Sequence, residues 1–181
     1  MSDYILTFTG VKFNPFEPKE SDINIYDIAH SLSLLTRANG HFKHFYSVAQ
    51  HSINCYQEAL GRGFSRTLQL ACLLHDSSES YISDLTRPVK SRLEYYLIVE
   101  EKLQKMIYKR FGLENLSCED IAKVKCIDDT VLHYEFLEFK GVPIFDNIDL
   151  NNADYNLDFR DMSEVEKEFL NIFDTLYKEG L

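Results

Sequence analysis

Apolar residues recur at helical spacing along most of the chain. From Asn24, the positions Ile25, Ile28, Ala29, Leu32, Leu35 and Thr36 mark a first helix that stops at the helix-ending pair Asn39 and Gly40. A second helix is expected from about Phe45 to Leu60, with Val48, His51, Ser52 and Cys55 on one face and Gly61 and Gly63 closing it. A third, about Ser65 to Ser78, carries Leu68, Ala71, Cys72 and Leu74. Beyond Pro88, Leu93, Tyr96, Val99, Leu103, Met106, Ile107 and Phe111 form the stripe of a long amphipathic helix closed by Gly112. "SCED" (Ser117 to Asp120) reads as an N-cap with an acidic first turn. It precedes Ile121, Val124, Asp128, Val131, Leu132 and Glu135 at helical spacing. Residues 141–159 are polar and turn-rich, an expected loop. "SEVE" (Ser163 to Glu166) then fits a capping box that opens a last helix with Val165, Phe169, Ile172, Phe173 and Leu176.

The N-terminal stretch "YILTFTGVKFNPFEP" alternates apolar and polar residues and carries Gly10 and two prolines, so it is expected to be a short irregular or β-like arm. The pattern as a whole predicts an all-α fold. At 181 residues the chain suits one domain spanning 1–181.

Composition narrows the class. An apolar content of 45% excludes general disorder. No apolar run reaches the roughly 18 residues that cross a bilayer, and no basic-then-apolar leader opens the chain. Cys55, Cys72, Cys118 and Cys126 form no CxxC pair, and two of them sit in apolar helical patterns. Reduced, mostly buried thiols in a cytoplasmic, membrane-free protein are the expectation. A net charge of −10 argues against a nucleic-acid polymer as partner, which would need a basic face. A small anionic substrate fits, provided a metal or a few Arg and Lys residues concentrate positive charge locally.

The chemistry gathers in "LLHDSSESYISDLTRPVK" (Leu73 to Lys90). Adjacent helical positions project about 100° apart, so His75 and Asp76 reach one metal only if it sits off the helix end or edge. Closing the shell needs other helices, and two inward groups are on offer: His51, on the stripe of Val48 and Cys55, and Asp128, on the stripe of Val124 and Val131. Asp129 is rotated away and reads as exposed. A buried carboxylate without a cation or donors is costly. Two imidazoles with two carboxylates suit Mn, Fe, Co, Ni or Zn better than Ca or Mg. A lone His on an apolar face is also an ordinary core residue, and a lone Asp in a stripe an ordinary misplaced face; periodicity alone leaves both readings open.

The order of these residues resembles the H…HD…D signature of the HD superfamily of metal-dependent phosphohydrolases. "FYSVAQHS" (Phe45 to Ser52) is similar to the segment carrying the first ligand. Leu73 to Lys90 resembles the block of the bacterial 5′-deoxynucleotidases in that superfamily, and "VKCIDDTVLHYEFLEF" (Val124 to Phe139) the block carrying the last ligand. "DIAHSLSLLTRANGH" is similar to small bacterial and phage HD proteins. The resemblance covers roughly Thr9 to Lys140.

It implies an HD-domain helical bundle and a divalent transition metal (Mn, Co, Zn, Fe or Ni) on His51, His75, Asp76 and Asp128. It implies a nucleotide substrate, a 5′-nucleotidase activity on deoxynucleoside monophosphates, and a homo-oligomer, for which the stripe from Leu93 to Phe111 offers an apolar face. Glu79 matches the glutamate that assists the attacking water. Arg37 matches the phosphate-gripping arginine, and is equally a helix-end cation. Asp84 matches the acid that contacts the sugar 3′-hydroxyl, and is equally a cap. His41 and Lys90 are further phosphate contacts. Three departures matter: Ala38 replaces an aromatic after Arg37, Gln50 replaces the glutamate before His51, and Arg87 stands where a small polar residue is usual. The extra cation pulls toward a deoxynucleoside triphosphate hydrolase; a catalytically degenerate, nucleotide- or partner-binding HD protein is the third reading.

Overall fold

A computed structural model describes residues 3–146, 148 and 154–178. The fold is all-α with a short N-terminal strand arm, as the periodicity predicts. In the arm, β1 (Ile5–Leu6) pairs antiparallel with β2 (Lys12–Phe13), Ile5 opposite Phe13. Asp27 ties this hairpin to the first helix: Thr9 donates to it from its backbone N at 2.6 Å and from Oγ1 at 2.9 Å. Phe13 is fully buried and stacks on Tyr81.

Helix α1 (Ile25–Leu34) is capped by Asn24, whose side chain accepts from the Tyr26 N–H. It ends two residues short of the expected Thr36. Leu35 is extended, Thr36 bridges Ser47, and Arg37 donates its N–H to the Tyr46 carbonyl at 2.9 Å. The Asn39–Gly40 signal therefore shapes a separate turn, residues 37–40. Ala38 (φ 51°), Asn39 (φ 52°) and Gly40 (φ 74°) all adopt left-handed backbone there.

Because Tyr46 is engaged in that pairing, α2 (Val48–Gly61) starts three residues later than expected, with the Ser47 side chain accepting from the Gln50 N–H. Helix α3 (Arg66–Leu73) is capped by Ser65 and stops before His75, not at Ser78. Two one-turn helices follow, α4 (Glu79–Ile82) and α5 (Arg87–Lys90). The long α6 (Glu94–Arg110) buries Val99, Leu103 and Ile107 and leaves Tyr95, Leu97 and Ile98 exposed.

Helix α7 (Cys118–Lys140) opens on a complete capping box between Ser117 and Asp120 and closes at left-handed Gly141. Its stripe holds at Val124, Val131 and Glu135, whereas Ile121, expected inward, is exposed. Helix α8 (Met162–Lys178) begins one residue before Ser163. The acceptor at its start is Asp161, whose Oδ1 takes the Ser163 N–H at 2.9 Å, so the expected Ser163 capping box is replaced by an aspartate cap. The core lies between α1, α2, α3, α7 and α8, with Ile28, Leu32, Leu73, Ile127 and Phe169 fully buried. Of the expected loop, 147 and 149–153 lie outside the described residues. Among the described residues, no helix is long and apolar enough to cross a membrane.

Candidate metal centre and cleft

The end of α3, the first turn of α2 and the middle of α7 meet at four of the expected residues. Leu74 closes α3, so His75 and Asp76 fall on the turn beyond the helix, where adjacent side chains can converge. His51 Nε2 lies 3.2 Å from Asp128 Oδ1 and 3.8 Å from Asp76 Oδ2. His75 Nε2 lies 3.2 Å from Asp76 Oδ2 and 3.7 Å from Asp128 Oδ1. His51 is fully buried, and its ring centroid is 5.2 Å from that of His75.

The far side of each ring fixes its tautomer. His51 Nδ1 donates to Glu135 Oε1 at 2.6 Å, and His75 Nδ1 donates to the Cys72 carbonyl at 2.8 Å. A carboxylate and a carbonyl only accept, so each Nδ1 carries the hydrogen and each Nε2 turns its lone pair inward. Two nitrogen lone pairs and two carboxylate oxygens thus face one another within 3.2–3.8 Å. Acceptors converge like this around a cation. His75 Nε2 is buried, and apart from its 3.2 Å approach to Asp76 Oδ2 it has no well-aligned hydrogen-bond partner, a position a metal ligand fits.

Electrostatics agree. Burial opposes charge on the imidazoles, yet Asp76 and Asp128 hold His75 up to about 10, so without a metal the ring takes a proton at Nε2 that a bound cation would displace. Against the burial that favours their neutral forms, His75 and Arg37 hold Asp76 below the carboxylate range, and His51 and His75 do the same to Asp128. The pocket draws positive charge. His51, Cys55 and His75 also form a group that could hold a metal ion, their ligand atoms lying within 4.8 Å of one another.

In front of these donors opens a cleft of about 380 Å³, lined by Arg37, Asp76, Glu79, Asp84, Arg87, Lys90 and Asp128 on its polar side. Phe42, Leu132, Phe136, Ile144 and Phe145 form its apolar wall. Arg37 is buried and donates from Nη1 to Asp76 at 3.1 Å. The structure therefore places it inside the site, not at a helix terminus. Burial works against its charge, and Glu135, Asp76, Asp84 and Asp128 outweigh that and raise its pKa.

Glu79 is buried with Oε2 unpartnered; burial, then Asp76 and Asp84, push its carboxyl well above the usual range. Asp84 is likewise raised, chiefly by burial. It follows Ser83, whose backbone (φ 75°, ψ 154°) is a conformation that essentially only glycine adopts freely. Lys90 pairs with Glu100 and stands 3.9 Å from Glu79.

Arg87 lies half-exposed at the rim, donating to Asp128 Oδ2 at 3.1 Å and Asp129 Oδ1 at 2.6 Å. Asp129, expected to point away, shares that network with Lys125. His41 is the expected contact that the fold does not deliver: it caps the 37–40 turn, is exposed, and is not among the cleft-lining residues. All four cysteines are free; Cys55 and Cys72 are buried, while Cys118 and Cys126 are exposed.

The periodic reading singled out neither Glu135 as the partner of His51 nor Cys55 as a donor. The signal for Glu135 was present, since it lies seven residues after Asp128 on the same inward stripe.

No protein-family model matches the chain. It is similar to "Uncharacterized protein YfdR" of Escherichia coli K12, 39% identical over 61% of this chain and 59% of that protein. It is also similar to "Uncharacterized protein RCAP_rcc00048" of Rhodobacter capsulatus, 33% identical over 68% of this chain and 65% of that one. The matches span less than two thirds of either relative, and neither printed name states an activity.

Proposed function

We propose that this protein is a metal-dependent phosphohydrolase of the HD superfamily that acts on nucleotides, releasing phosphate from deoxynucleoside 5′-monophosphates. The observation that carries the reading is the convergence of the His51 and His75 Nε2 lone pairs on Asp76 and Asp128, with Glu79 and three cations around the adjoining cleft. His51, His75, Asp76 and Asp128 would hold Mn, Co, Zn, Fe or Ni. When bound, such an ion supplies Lewis-acid charge and lowers the pKa of water from 15.7 toward roughly 7.

The chain's own residues do the rest. Glu79 Oε2, buried and without a partner, accepts and holds the proton of the attacking water. Arg37, in place through Asp76, offsets charge growing on the phosphoryl oxygens, and Lys90 adds to it from the cleft wall. Asp84 faces the sugar. Phe42, Phe136 and Phe145 shield the reacting group from water and give the base an apolar surface.

The second reading, a deoxynucleoside triphosphate hydrolase, is favoured by Arg87, a half-exposed cation at the rim within reach of a longer phosphate chain. A homo-oligomer through exposed Tyr95, Leu97 and Ile98 belongs to the same proposal, with sedimentation velocity as its measurement.

The test is a panel of nucleotides with Mn, Co, Zn, Fe and Ni. Free phosphate plus nucleoside supports the leading reading, and released triphosphate or pyrophosphate supports the second. His75→Ala and Asp76→Ala should abolish both bound metal and turnover. Unchanged turnover in either variant sinks the assignment, and nucleotide binding without turnover under any metal leaves the degenerate fold.

A further inference from the structure

The oxygen donors of the site lie on the cleft side of the imidazoles. Asp76 and Asp128 line the cleft; Cys55 does not, and is buried. His51 and Cys55 are one turn apart on α2, so they share a face, and Cys55 Sγ is 3.4 Å from His51 Nε2. With metal–nitrogen bonds of 2.0–2.1 Å and a metal–sulfur bond of about 2.3 Å, neighbouring donors on one ion stand about 3.1–3.5 Å apart, from right-angled to tetrahedral geometry. The separation already matches a shared ion. The third atom of the group is His75 Nε2, buried, without a hydrogen bond, and within 4.8 Å of the other two.

We infer that Cys55 is a metal donor, so that the ion on His51 and His75 is held through sulfur from the core side as well as through oxygen from the cleft side. The inference shares the metal-holding part of the proposed function and none of its substrate chemistry. A sulfur donor sets the class of cation: thiophilic divalent ions such as Zn, Co, Cd or Fe are favoured, and Mg and Ca are disfavoured. Ligation replaces the S–H bond with a sulfur–metal bond and releases one proton to solvent, with no change of oxidation state. The competing account makes Cys55 a small buried thiol whose S–H donates a hydrogen bond to His51 Nε2 at the same 3.4 Å.

The experiment titrates the chelator-stripped full chain with Co alone. A thiolate-to-cobalt charge-transfer band in the near ultraviolet is expected, lost in Cys55→Ser and Cys55→Ala and kept in Cys118→Ser and Cys126→Ser. Cadmium NMR of the unsubstituted protein gives a second readout independent of how any variant folds; sulfur ligation moves the resonance far downfield of sites built from nitrogen and oxygen. A cobalt complex without the band, a band that survives Cys55→Ala, or a cadmium resonance in the nitrogen–oxygen range overturns the inference. Nucleotide hydrolysis without the sulfur signature removes this inference alone. The sulfur signature without hydrolysis of any nucleotide removes the proposed function alone.

Discussion

His51 Nδ1 and Glu135 Oε1 lie 2.6 Å apart, both side chains fully out of water. The carboxylate fixes the tautomer of the ring, and Arg37 Nη2, 3.7 Å from Glu135 Oε2, offsets its charge. Glu135→Gln keeps the shape and removes the charge, and an amide nitrogen turned toward Nδ1 would favour the wrong tautomer. Metal affinity should fall about 10–100-fold with the helical content unchanged. Isothermal titration with Co or Zn reads the affinity, and an unaltered dissociation constant would show that Glu135 does not orient the ligand.

Glu79 is argued to move a proton and not to hold the metal. Glu79→Gln should therefore retain the metal while kcat drops by about 10²–10⁴-fold. Metal analysis beside steady-state kinetics separates the two roles; loss of metal together with rate would make Glu79 a ligand.

Ser83 stores strain next to Asp84. Its N–H donates to the Glu79 carbonyl at 2.8 Å and its own carbonyl accepts from the Tyr96 hydroxyl at 2.7 Å, so the turn is held on both sides. Such a conformation costs about 1–3 kcal/mol in a non-glycine residue. Ser83→Gly relieves it at the expense of about 0.5–1 kcal/mol of extra chain entropy. The melting temperature should rise, at about 2–4 °C per kcal/mol for a chain of this size. The price is a looser Asp84, visible as a higher KM for nucleotide. A fall in melting temperature would argue that the turn is unstrained.

The Ser117–Asp120 capping box makes one stability term depend on pH. Hydrogen bonds from the Ser117 side chain and backbone lower the Asp120 pKa in the folded state. A depressed carboxyl stabilises the fold above its unfolded value, and that contribution disappears as pH falls through the folded value. Asp120→Asn should thus melt below the unsubstituted protein at pH 7, and the gap should close once pH has fallen below the usual aspartate range. A gap independent of pH would assign the effect to shape and not charge.

What the sequence made legible was what periodicity reports. His51 and Asp128 sit on the inward stripes of regular helices; the pattern ran α3 on to Ser78, whereas the helix closes at Leu74 and leaves His75 and Asp76 on the turn beyond it. Ser117 and Asp120 announced α7 because capping is local. Spacing alone left Arg37 open between a cleft residue and a helix-end cation, since its burial depends on a left-handed turn and on the pairing of Thr36 with Ser47 across the fold. His41 failed for the same reason: the turn that buries Arg37 sends the residue four positions on to the surface. The Ser163 cap was displaced because the helix starts earlier, where the Asp161 carboxylate takes the N–H of Ser163 itself. The contacts of Glu135 and Cys55 with His51 are distances across the fold, which no one-dimensional spacing contains.

One further face of α2 has a consequence for how the molecule is made. Gln50, Asn54 and Glu58 run along it one turn apart and hold the segment after the loop: Gln50 Nε2 donates to the Asp158 carbonyl, Asn54 exchanges hydrogen bonds with the Asn156 backbone, and the Tyr155 hydroxyl donates to Glu58 at 2.5 Å. Every proposed donor, and Glu135 behind them, lies before residue 136. During synthesis, a growing chain would carry the whole donor set some twenty residues before it could cover the polar flank of the helix that bears His51 and Cys55.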